Sequence, residues 1–118
     1  AEKQGYSKFG SYTGNGNADG TFIYLGFKPA MILLKADAAG ENWRIFDNKR
    51  STFNPNSTSL QPNSTNAEAS NTDIDFCSNG IKLRTTSGEI NPSGTLFIYM
   101  AFAENPFVSS TGVPATAR

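Results

Sequence analysis

Glycine, proline, asparagine and aspartate interrupt this chain so often that only about seven short apolar or alternating runs remain between them, and none reads as a helix. Gly, Ser, Thr, Asn and Pro together supply more than two residues in five. Such residues suit tight turns, each by its own backbone or side-chain property. Disordered chains share that polarity but are poor in aromatic residues. Here aromatics make up 12% of the chain, and they fall inside the short runs. The expectation is a folded all-β chain.

The runs can be placed. Tyr6 to Thr13 reads as a first strand, followed by a turn from Gly14 to Gly20. Thr21 to Phe27 is β-branched and aromatic, a strand composition, and Lys28-Pro29 interrupts it. Ala30 to Lys35 is short and almost wholly apolar, which suggests a central strand covered on both faces. Glu41 to Asn48 alternates, with Trp43 and Ile45 on one side and Arg44 and Phe46 on the other. Asp73 to Ser78 and Ile81 to Thr85 flank Asn79-Gly80, whose residues accept the positive φ of a type I′ hairpin. Ile74 and Phe76 then share a core face with Ile81 and Leu83. Thr95 to Ala103 is apolar on both faces and reads as another central strand. The predicted fold is a single-domain antiparallel β-sandwich of seven or eight strands over residues 1–108, with a jelly roll as one form of it.

Two stretches lack apolar residues. The Phe53 to Asn71 segment is rich in Asn, Ser and Thr, and is long for a loop in a compact domain. Residues 109–118 form a polar tail, read as an arm. Neither buries enough to be ordered alone: the first is either a functional surface loop or is ordered by a neighbouring subunit, the second is an arm or disordered, and Ser109, Val113 and Arg118 are candidate assembly contacts.

Composition excludes several functions. Ten basic and ten acidic residues cancel to a formal net charge of +0, which speaks against nucleic-acid binding and against attachment to an anionic membrane. The longest apolar run, Ala30 to Leu34, is far below the roughly 18 residues of a spanning helix. The polar start Ala1-Glu2-Lys3-Gln4 has no secretion-signal pattern. There is no histidine, which removes the commonest general base and the commonest transition-metal ligand. The single Cys77 can form no internal disulfide and has no histidine to activate it.

Chemistry-bearing candidates are therefore few. Gly14-x-Gly16-x-x-x-Gly20 is followed by a strand, whereas a phosphate loop needs a helix, so it reads as a hairpin loop. Asp73 and Asp75 share one strand face, and a solvated face accounts for them better than a glycosidase pair or a calcium site. No Ser-x-x-Lys of a hydrolase is present. The expectation is a protein that is not an enzyme and uses no metal or cofactor. A sugar-stacking platform is the main alternative, with Trp43, Tyr12 and Phe53 as glycan contacts and Tyr6 and Tyr99 beside them. Core packing competes for all of these rings and is favoured for Trp43. Asn56-Ser57-Thr58 and Asn63-Ser64-Thr65 match glycosylation acceptors, in a segment where chance matches arise easily.

Four segments carry a resemblance as a set: Tyr12 to Gly16 with Asp19-Gly20 and Gly26 to Ala30; Trp43 to Asp47 with Arg50; Ile74 to Phe76 with Ser78 to Arg84; and Ile98 to Phe107. Together they resemble a domain of uncharacterised tailed-phage structural proteins, frequent in marine and cyanobacterial phages. In larger members it stands at the C-terminal end of tail or fibre-like proteins. The ending Gly112 to Arg118 resembles the end of such proteins too. The resemblance spans nearly the whole chain and implies a virion-surface role: a tail or fibre component or a capsid decoration. It implies assembly with itself and other virion proteins, and contact with a host-surface glycan as a further function. It brings no catalytic motif.

Overall fold

A computed structural model of the chain describes residues 2–105, 107–108 and 114–115. They contain ten strands: β1 Ser7–Thr13, β2 Phe22–Tyr24, β3 Pro29–Ala36, β4 Arg44–Asp47, β5 Asn56–Ser59, β6 Ala69–Cys77, β7 Gly80–Leu83, β8 Leu96–Ala103, β9 Phe107–Val108 and β10 Pro114–Ala115. One sheet has the order β1-β8-β3-β4 and the other β2-β7-β6-β5, while β9 and β10 pair only with each other. Every pairing is antiparallel. The fold is an all-β, single-domain antiparallel sandwich. The ends of the chain nest, β1 against β8 and β2 against β7, as in a jelly roll, whereas β5, β6 and β7 run as a meander.

The core lies between the two sheets. Ile32, Leu34, Phe46, Phe97 and Ala101 enter from the first sheet, and Ile23, Ile74, Ile81 and Leu83 from the second. Each of these is at most 3% exposed. At roughly 1.5–3 kcal/mol for each large apolar side chain buried, this layer supplies the main drive for folding. Tyr12 closes one end of it. Its ring stacks on Phe97 with centroids 4.9 Å apart, and its hydroxyl donates to Ile90 O at 2.8 Å.

The hairpin of β6 and β7 forms with the expected face inward, but its turn lies one residue earlier. Ser78 and Asn79 form the turn, and Gly80 is a strand residue opposite Cys77. Gly80 has no positive φ. A Cβ there would stand 2.2 Å from Ile23 O, so glycine is required by the close approach of β2. The strand expected over Thr21 to Phe27 shrinks to Phe22–Tyr24. Gly26, at φ 78°, bends the chain off the ladder, and the N–H groups of Leu25 and Gly26 donate to Asn79 O instead.

Strands β3 and β8 are central in their sheet, but the expectation that both faces are covered fails. Their burial alternates, and Leu96 and Ile98 are 43% and 50% exposed. The polar segment after Phe53 also differs from expectation. It contains β5 and the start of β6, ordered by the chain's own amides. Asn54 binds the Phe76 backbone at both groups, Nδ2 to O and N to Oδ1, each at 2.9 Å, like a strand partner. Asn56 is 1% exposed and donates to Asp47 O at 2.7 Å. In the C-terminal segment, Pro114 and Ala115 pair with Val108 and Phe107. Ser109, Val113 and Arg118 lie outside the described residues.

Candidate functional site

Pairing register decides which side chains share the outward face of the first sheet. Phe9 pairs with Met100, Met100 with Leu33, and Leu33 with Ile45. These four residues form one apolar row across all four strands. The next row along holds Ser11, Ile98 and Lys35, and the row on the other side holds Phe102, Met31 and Asp47. Trp43, one residue before β4, completes the surface at the Lys35 end. Phe9, Leu33, Trp43, Ile98 and Met100 line a hollow of about 320 Å³. A second hollow of about 440 Å³ adjoins it, walled by Leu96, Ile98, Lys35 and the Asp37 to Ala39 turn.

With strands about 4.8 Å apart and same-face residues about 6.8 Å apart along each, three rows over four strands span roughly 400 Å². That footprint holds Ser11, Lys35 and Asp47 as well as the apolar residues; the largest apolar patch of a typical monomer is roughly 300–600 Å² and is often functional. The same alternation that fills the core creates the patch. Both faces of β3 and β8 are apolar, and the sandwich consumes only one.

Charges sit at opposite ends of the patch. The Lys35 ammonium donates to Ala36 O at 2.6 Å and to Ala38 O at 3.4 Å. The Asp47 carboxylate accepts from the N–H groups of Lys49 at 2.9 Å and Arg50 at 2.6 Å, and from Arg50 Nε at 3.1 Å. Partial burial pushes the Asp47 pKa up, but these donors outweigh it and hold the carboxyl below its usual value. Arg50 continues to Glu68 at 2.8 Å.

The residues expected to form a glycan platform do not come together. Trp43 is half-buried on the outward face rather than in the core. Its strand neighbour Arg44 goes inward instead, 2% exposed, because Glu89 pairs with it and Ser59 Oγ accepts its Nη1 at 3.1 Å. Tyr12 is 7% exposed and its ring is covered by Phe97, which excludes it as a glycan contact. Tyr99 is buried as well. Tyr6 lies at the surface against the edge of Phe102. Phe53 stands alone on the connection between β4 and β5, 83% exposed.

The other candidates are accounted for locally. Asp75 faces outward and pairs with Arg84 Nε at 3.4 Å, and the Asp73 side chain lies outside the described residues. Burial, with the nearby Asp75 carboxylate, pushes the Cys77 thiol up, which makes it a poorer nucleophile. Asn15, Asn17 and Asn91 hold the Gly14 to Gly20 loop by side-chain hydrogen bonds. Asn56 is too buried to be a glycosylation acceptor. Among the described residues, no group of three His, Cys, Asp or Glu converges to hold a metal ion.

Residues 1–106 match the sequence model of a family described as a domain of unknown function (DUF7483). No curated protein and no solved structure matches the chain.

Proposed function

We propose that this chain, which belongs to the DUF7483 family, is a non-enzymatic structural subunit that assembles with further copies of itself through the outward face of its first sheet. The resemblance to tailed-phage structural proteins sets the context of the proposal: a virion-surface component of the tail, a fibre or the capsid, packed against other virion proteins. The observation that supports it best is the apolar row Phe9, Met100, Leu33 and Ile45.

A second copy suits this face for two reasons. The chain carries a formal net charge of +0, so copies do not repel one another at long range. Lys35 and Asp47 lie on opposite sides of the apolar row. A two-fold axis along that row, perpendicular to the strands, lays the Lys35 end of one copy over the Met31 and Asp47 end of the other. Such a contact is isologous, and each copy contributes the same patch. Its roughly 400 Å² per partner is about half of the ~800 Å² of a standard interface. The pair is therefore weak in solution and gains strength where subunits are repeated.

Sedimentation velocity over micromolar to millimolar protein tests this. The wild type is expected to shift from monomer towards dimer with concentration. Ile98→Lys, at a half-exposed position, is expected to stay monomeric with an unchanged melting curve. A wild type that stays monomeric throughout, or an assembly indifferent to Ile98→Lys, overturns the proposal.

A further inference from the structure

We infer that the cavity beside Phe53 binds a single pyranose ring, as a terminal or branch sugar of a glycan. The cavity's lining is distinct from the apolar row Phe9, Met100, Leu33 and Ile45, and the inference does not depend on assembly. Phe53 is the most exposed large apolar side chain described, at 83%. An apolar ring held in water has an obvious use as one wall of a binding site. The cavity at its side has a volume of about 270 Å³.

The chain on both sides of Phe53 is held by hydrogen bonds. Before it, Asp47 accepts the N–H groups of Lys49 and Arg50. After it, Asn54 is clamped to both backbone groups of Phe76, and Ser51 Oγ accepts the N–H of Thr58 at 3.3 Å. Little backbone ordering entropy then remains to be lost when a ligand arrives.

The cavity's polar side chains form a joined set. Asn48 Nδ2 donates to Glu104 Oε1 at 3.0 Å, and Lys28 Nζ pairs with Glu104 Oε2 at 3.1 Å. A carboxylate has about four acceptor sites and an ammonium three donors, so both keep capacity beyond these bonds, as does Asn48 Oδ1. Acceptors and donors therefore alternate along the cavity. Neighbouring sugar hydroxyls, each a donor and an acceptor, are complementary to that alternation, while the C–H face of the ring stacks on Phe53. A volume below the roughly 300–1,000 Å³ of drug-sized pockets limits the site to one ring.

Saturation-transfer NMR with the methyl glycosides of glucose, galactose, mannose and N-acetylglucosamine tests the inference. At least one is expected to receive saturation, strongest on its ring C–H protons. Titration is expected to show affinity falling tenfold or more in Phe53→Ala and retained in Phe53→Trp, with the exposed Tyr24→Ala as an unaffected control. Phe53 is so exposed that its replacement leaves the core intact, and the melting curve verifies this. Absence of transfer to all four glycosides overturns the inference, as does binding that survives Phe53→Ala or is lost in Tyr24→Ala.

Discussion

Asn91 is fully buried and uses every polar atom it has. Its Nδ2 reaches Asn15 Oδ1 at 3.0 Å, Asn17 O at 2.9 Å and Thr85 O at 2.8 Å, and its Oδ1 accepts the N–H of Asn15. Its main chain bonds Ser87 O and the N–H of Gly16. One side chain thus ties the Gly14 to Gly20 loop to the β7–β8 connection. A buried group stripped of its partner costs about 1–3 kcal/mol. Asn91→Ala is expected to lower stability by at least that much in urea unfolding. Asn91→Asp keeps the shape but cannot donate, and it should lose no less. Nearly unchanged stability in the aspartate variant would mean that the donors at Asn91 contribute little. In the sequence Asn91 shows only as part of an Asn-Pro-Ser-Gly turn. Its partners Asn15 and Asn17 lie more than seventy residues away, and no local pattern points to them.

At the scale of elements, β4 and its exit show what alternation settles and what it leaves open. The run from Trp43 to Asp47 divides into two faces as the sequence implies. Hydrophobicity alone would send Trp43 inward, yet Arg44 is buried because Glu89 and Ser59, from two other elements, satisfy it. The hairpin of β6 and β7 was legible because its core residues and its turn are neighbours in sequence. The β5 segment was not, because Asn54 and Asn56 do by side-chain hydrogen bonds what apolar residues usually do by burial. The outward apolar row was half visible. Both faces of β3 and β8 read as apolar, but covering was assumed where the chain supplies none. The exit of β4 also sets a pH dependence. Asp47 has a depressed pKa in the fold, so it binds a proton more readily when unfolded. Its contribution to stability is complete above the usual aspartate value near 4 and is lost as pH falls through the lower native value. Asp47→Asn is expected to flatten the acid limb of stability against pH, measured by urea midpoints from neutrality to about pH 3. An unchanged acid limb would assign the acid sensitivity to other carboxylates.

For the whole molecule, the sandwich and the C-terminal strand pair are separable in hydrogen bonding. Among the described residues, strands β9 and β10 pair with each other and with neither main sheet. Deleting residues 109–118 removes β10, whose described pairing is with β9, and leaves every described pairing within the two four-stranded sheets. The truncated chain is expected to melt with the full chain, within the ±0.5 kcal/mol typical of changes away from the core. Loss of folding would mean that the segment completes the sandwich. Self-association of the same truncated protein separates the two candidate contact surfaces, one on the outward sheet face and one at Ser109, Val113 and Arg118. Association through the apolar row persists in the truncated chain and disappears in Ile98→Lys. Association through the arm does the reverse. Since the row joins four apolar residues across the whole sheet and the tail is polar, sedimentation is expected to follow the row.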